Sequence, residues 1–138
     1  MSEDAINPKH YKGIFKLKDN ETIAVSRQLD FCMGNYYKYL ARLYKKDDPV
    51  QDFHKARWYA GDWLSHHLKT NDRGWIYNEC AEKAVIAFDF IEPPEPNTEL
   101  WDRYKLMSIV TAPYINPEHW ISMLNRYEKK YLSKGDAQ

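Results

Sequence analysis

Residues 31 to 59, FCMGNYYKYLARLYKKDDPVQDFHKARWY, constrain the fold more than any other stretch of the chain. Read as two helices, the first places Asn35, Lys38, Tyr39, Arg42 and Lys46 on one side, and the second does the same with Asp52, Lys55, Tyr59, Asp62 and His66. The opposite side of each is apolar. Steps of three and four residues produce this division because a turn takes 3.6 residues. The short DDPV connection folds the two helices back antiparallel. Their polar sides then merge into one surface, rich in cations and carrying two acids. Such a surface suits an anionic ligand; it is equally what a solvated, salt-bridged helix pair presents.

The same periodicity extends along the chain. A first helix is expected over residues 27–46, with Leu29, Met33, Tyr36, Leu40 and Leu43 as its core stripe. Gly34 lies inside it at a cost of about 1 kcal/mol relative to Ala. Close approach by the second helix or a ligand would account for it. Asp48 as N-cap and Pro49 at the first helical position start a second helix running to about residue 69, burying Phe53, Ala56, Ala60, Trp63, Leu64 and His67. Residues 71–74 stop it. A third helix is expected over 75–91, burying Ile76, Cys80, Ala84, Val85 and Phe88. The proline-rich EPPEPN is a stiff connector. Thr98 caps a fourth helix, with Leu100, Trp101, Tyr104 and Met107 inward, and Asn116-Pro117 opens a fifth with Trp120, Ile121, Leu124, Tyr127 and Tyr131. Strand signals are scarce. The expected architecture is therefore all-α: a small helical bundle of about five helices with an irregular N-terminal segment over residues 1–28. At 138 residues the simplest organisation is one domain with a real core, with residues 72–138 as its C-terminal helical part.

Charge and motif content narrow the chemistry. Net charge is zero, which does not fit duplex nucleic acid as the main partner. Residues 1–71 nevertheless carry a surplus of three positive charges, matched by three negative ones over 72–138. Aromatic content is 15%, enough for core filling and also for a stacking pocket or a self-association surface. There is no GxxxxGK[ST], no GxGxxG and no HExxH, so neither a phosphate loop nor a metal site is expected. Cys32 and Cys80 form no CxxC and are expected to be free, mostly buried thiols of a reducing compartment. The segment MSEDAINPKH has no apolar stretch, and no run approaches the roughly 20 apolar residues of a membrane span. A cytoplasmic protein without a membrane partner is expected.

What is left as a candidate site is the cationic helix pair. Lys38, Arg42 and Lys46 are spaced to meet several phosphate oxygens. Asn35 suits a base edge or ribose, and Tyr39 or Tyr59 could stack on a base. Asp52 and Asp62 could instead neutralise those cations internally, which on composition alone is the simpler reading.

Three blocks of this sequence resemble the phage SaV-like family, which includes a phage nucleotide kinase. Pro8, His10 and Tyr11 match the first block. Phe31, Cys32, Gly34, Asn35, Lys38, Tyr39, Arg42, Lys45 and Lys46 match the second, and Asp52, Lys55, Ala56, Trp58 and Tyr59 the third. The resemblance spans about residues 6–64. It implies a phage or prophage product in the host bacterial cytoplasm that transfers a phosphoryl group from a nucleoside triphosphate to a deoxynucleoside monophosphate, as a homo-oligomer. By carry-over, Lys38, Arg42 and Asp52 are the candidate catalytic groups. His10, Tyr11, Asn35, Tyr39, Lys46, Lys55 and Tyr59 are the candidate ligand-binding groups. The cations would neutralise charge on the moving phosphoryl group. The chain departs from the family pattern where Leu43-Tyr44 replaces a small Ala-Gly pair, and in the segment around Glu21 and Ala24, where a second acid is usual. The alternative is a non-enzymatic phage effector whose aromatic, acidic C-terminal half binds a host or anti-phage-defence protein.

Overall fold

A computed structural model of the chain describes residues 22–45, 48–68, 74–89 and 91–133. The irregular segment expected over 1–28 lies outside these residues as far as position 21, as do the first block of the resemblance, Glu21, Lys46 and residues 71–73 of the expected stop. Six α-helices account for most of the described chain: α1 (Thr22–Ser26), α2 (Phe31–Ala41), α3 (Pro49–Leu68), α4 (Ala81–Phe88), α5 (Glu99–Met107) and α6 (Pro117–Tyr127). A 3-10 turn (Ser108–Thr111) follows α5, and a π-helical turn (Glu128–Leu132) continues α6. The all-α expectation holds.

Four of the helices, α2, α3, α5 and α6, begin where the sequence supplies a capping side chain. Asp30 ends the turn after α1 and accepts the Met33 amide at 2.8 Å, so α2 starts at Phe31 and not at Arg27. Leu29 fits the apolar stripe, but a capping carboxylate one residue later outweighs that periodicity. Asp48 accepts the Val50 amide at 2.9 Å ahead of Pro49. Thr98 and Asn116 accept the Trp101 and His119 amides at 3.1 and 3.3 Å, as their positions predicted. Gly34 is indeed crowded, but by α1: a Cβ there would stand 3.4 Å from the Ser26 carbonyl oxygen.

The expected third helix is half its anticipated length. Ile76–Tyr77 (β1) pairs antiparallel with Tyr114–Ile115 (β2) in the register Ile76↔Ile115. Asn78 explains the break. Its side-chain amide donates to the carbonyls of Val110 (2.9 Å) and Ala112 (3.3 Å), its Oδ1 accepts from the Cys80 amide (3.2 Å), and its own amide donates to Pro113 (2.9 Å). Buried Asn78 thus closes the end of the 3-10 turn, and a helix through residue 78 would sacrifice those bonds. The inward face of α4 is Ala81, Ala84 and Phe88; Val85 is exposed and Cys80 only half-buried. In α5 the buried residues are Arg103, Leu106 and Met107, while Leu100, Trp101 and Tyr104 pack at the edge. His67 and Tyr131 are likewise partly covered, and Ile121 is exposed.

Helices α2 and α3 run antiparallel, because the start of α2 meets the end of α3 and the end of α2 meets its start. Trp63 Nε1 donates to Asp30 Oδ2 at 2.9 Å, and the Arg42 guanidinium reaches Asp52 at 3.1 Å. Between these clasps Met33, Tyr36, Leu40, Phe53, Ala56 and Ala60 are almost wholly buried. The C-terminal half packs into the same core. The Tyr36 hydroxyl donates to the Leu106 carbonyl at 2.6 Å and accepts from Trp120 Nε1 at 3.0 Å, with the two rings edge-on at 5.1 Å. Arg103 of α5 donates to the Leu40 and Leu43 carbonyls (3.1 and 3.3 Å) where α2 ends, adding to the Leu43 amide that the Leu40 carbonyl already accepts at 3.4 Å. Tyr36→Phe would leave the buried Trp120 indole N–H without its acceptor and take one of its donors from the Leu106 carbonyl. It is expected to cost about 2 kcal/mol and to lower the melting temperature by several degrees in a calorimetric scan.

Candidate functional site

The polar surface of the helix pair centres on the Tyr39 ring. Three cations gather around it: Lys38 Nζ at 5.0 Å from the centroid, Arg42 Cζ at 5.1 Å and Lys55 Nζ at 5.4 Å. Tyr59 of α3 stacks parallel to Tyr39 at 6.0 Å, and Phe31 and Trp58 meet Tyr59 edge-on at 5.8 and 5.1 Å. Helix spacing alone could place Lys38, Tyr39 and Arg42 together. Bringing Lys55 and Tyr59 to them required the antiparallel return of α3.

Arg42 and Asp52 occupy the interior side of this surface. Both Nε and Nη2 of Arg42 lie 3.1 Å from Asp52 Oδ1, and the two residues are 6% and 0% exposed. The second carboxylate oxygen, Oδ2, is buried without a hydrogen-bond partner. Attraction to Asp52 holds Arg42 in place, and Arg42 in turn lies against the Tyr39 ring. In this conformation, then, the pair positions the surface from below, while half-buried Lys38, Tyr39, Lys55 and Tyr59 present it to solvent. Asn35 is also half-buried, and its amide donates to the Phe31 carbonyl one turn back at 2.8 Å. Candidates His10, Tyr11 and Lys46 lie outside the described residues.

At separations on the order of 10 Å two unit charges repel by about 0.4 kcal/mol in water and several times more beside a low-dielectric wall. Cation–π attraction of about 0.5–1 kcal/mol per exposed contact offsets part of this. Asp52 compensates Arg42 directly.

Tyr44 departs from a simple helix end. Its φ is 67°, in the left-handed region. Glycine favours that conformation after a helix. Here the Tyr ring is held by the Arg103 guanidinium 5.5 Å from its centroid and by its hydroxyl, 3.3 Å from that of Tyr127.

A concavity that the sequence did not disclose opens at the other end of the helix pair. Asp30, Phe31, Cys32, Asp62, Trp63 and His66 line a cavity of about 500 Å³ together with His67, Glu79 and Cys80. Cys32 and Asp62 are 30 positions apart, so only the antiparallel pairing makes them neighbours. The thiol donates to Asp62 Oδ2 at 3.2 Å. Burial, then the hydrogen bond and the negative charge of Asp62, push the Cys32 thiol up to about 11, and burial raises Cys80 as well. Neither is a thiolate nucleophile at neutral pH. Among the described residues no group of three or more His, Cys, Asp and Glu side chains could hold a metal ion, and no helix is long and apolar enough to cross a membrane.

Residues 6–61 match the model of a protein family of unknown function, DUF3310. The match covers fewer than half of the 138 residues, yet it contains every residue placed around Tyr39. No curated protein and no solved structure matches the chain.

Two outcomes are expected. Asp52→Asn strands the buried Arg42 charge and should cost about 3 kcal/mol in urea unfolding, whereas the double variant Arg42→Met/Asp52→Leu should cost much less. In a Cys80→Ala background, alkylation of native Cys32 by iodoacetamide should rise with a midpoint near pH 11 instead of 9.0. Because the folded thiol holds its proton more tightly than the unfolded one, its contribution to stability is complete below pH 9 and lost as the pH climbs towards 11.

Proposed function

We propose that the α2–α3 face binds the phosphate groups of a nucleotide, with Lys38 and Lys55 on the phosphates and the Tyr39–Tyr59 stack against the base or sugar. The observation that carries this reading is the gathering of three cations from two helices around one aromatic ring, with a single buried acid, Asp52, fixing one of them. A solvated helix pair would more simply alternate its charges in sign. The resemblance to the SaV-like family, with its nucleotide kinase, supports the same ligand class and suggests ATP and deoxynucleoside monophosphates as the first candidates. Under this proposal Arg42 and Asp52 are positioning residues, and any phosphoryl transfer would rely on oriented cations more than on covalent chemistry.

A second reading, that of a non-enzymatic effector binding a host or defence protein, draws on one feature of the C-terminal half. Trp75, Tyr77 and Tyr114 are all more than half exposed around the two-residue ladder, and the Tyr77 and Tyr114 rings lie 5.5 Å apart. Aromatic side chains so presented suit a protein interface.

Thermal denaturation with ATP and each of the four deoxynucleoside monophosphates distinguishes the two. A ligand at a hundred times its dissociation constant adds about 2.7 kcal/mol of stability, and raised salt should weaken the effect because the surface charges are screened. The variant Lys38→Ala/Lys55→Ala should fold normally and lose at least tenfold in affinity. No stabilisation by any of these nucleotides would favour the effector.

A further inference from the structure

A second cationic cavity, of about 330 Å³, lies between α5 and α6 and owes nothing to the α2–α3 surface. His119, Met123 and Arg126 follow one another at helical steps along α6, and Lys130 extends the row into the π-helical turn. Asp102, Lys105 and Leu106 face them from α5. Three cations therefore surround a single carboxylate.

That carboxylate is already fully engaged. Asp102 Oδ2 accepts from Lys130 Nζ at 3.2 Å and from the Tyr131 hydroxyl at 2.5 Å, and Oδ1 lies 3.6 Å from Lys105 Nζ. The π-helical turn makes this possible, since its wider spiral lets the adjacent residues 130 and 131 reach the same oxygen. Turns of this kind are rare and concentrate at functional sites. Arg126 and the His119 ring, by contrast, make no hydrogen bond or ion pair with any other described residue. Leu106 and Met123 supply an apolar floor. The cavity thus offers a guanidinium fork with its donors uncommitted, two lysines held in position by Asp102, and an apolar wall.

We infer that this cavity binds a small phosphate monoester, its phosphate on Arg126 beside Lys105 and Lys130 and its organic part against Met123 and Leu106. A planar guanidinium presents paired N–H donors that match phosphate oxygens. The volume suits one compact molecule and not a polymer. The inference does not depend on the nucleotide reading of the Tyr39 face.

Phenyl phosphate and inorganic phosphate, titrated separately into the full-length protein by calorimetry, test it. Phenyl phosphate should bind saturably and more tightly than inorganic phosphate. Exposed Arg126 can be replaced without disturbing the core, so Arg126→Ala should keep the melting temperature and weaken phenyl phosphate at least tenfold, with Arg126→Lys in between. In the Lys38→Ala/Lys55→Ala background phenyl phosphate should still bind saturably, and adding Arg126→Ala there should still cost at least tenfold, which separates this site from the other. Absence of saturable binding, equal binding by Arg126→Ala, or loss of binding only in the Lys38→Ala/Lys55→Ala variant would overturn the inference.

Discussion

The Arg42–Asp52 ion pair is the contact on which the rest of the helix pair turns. It joins the last residues of α2 to the first turn of α3, across the short connection, with both charges withdrawn from water. Withdrawing two ions is expensive, and a pair of this kind adds little net stability over a well-packed apolar one. Its contribution is geometric: Arg42 cannot leave without stranding Asp52, so the guanidinium stays against Tyr39 and the end of α2 stays on α3. Asp30 does the corresponding work at the other end, capping α2 with one oxygen and holding the Trp63 indole with the other. The apolar faces between these clasps supply the burial that drives association.

The helix pair also leans on the C-terminal half. Arg103 satisfies the Leu40 and Leu43 carbonyls and is itself held by Glu99, 2.8 Å from its Nε. Glu99 in turn accepts the Tyr127 hydroxyl at 2.6 Å. Tyr36, Leu106 and Trp120 close a second buried network across the two halves. Removing residues 99–127 would therefore expose more than apolar area; it would take the Arg103 donors from the Leu40 and Leu43 carbonyls and both partners from the Tyr36 hydroxyl. The segment that matches DUF3310 thus takes part of its support from residues beyond the match.

Much of this was legible in the sequence because local chemistry and global packing agree. Asp48-Pro49, Thr98 and Asn116-Pro117 each combine a capping side chain with an apolar period, and each starts a helix where expected. The misjudged start of α2 and the shortened α4 share a cause: Asp30 and Asn78 have side chains that compete with the helix for backbone partners, and what decides the competition is a distant segment. For Asn78 that segment is 108–113, and nothing near residue 78 announces it. The candidate site shows the same division. The i, i+4 spacing of Lys38 and Arg42 was readable, whereas the burial of Arg42 and the approach of Cys32 to Asp62 depend on how deeply α3 packs.

The proposed function rests on the contrast between the interior and solvent sides of the surface around the Tyr39 ring. Below it a cation is neutralised and immobile; above it Lys38 and Lys55 meet solvent with the aromatic stack between the helices. Under that proposal the surface would be preorganised for an anion with a flat group attached, because the charges are gathered before the ligand arrives. The most direct measurement is an amide proton–nitrogen correlation spectrum of the full-length protein titrated with ATP and with a deoxynucleoside monophosphate. The account predicts saturable shifts concentrated on Lys38, Tyr39, Lys55 and Tyr59. Shifts absent at millimolar ligand, or confined to other parts of the surface, would contradict it.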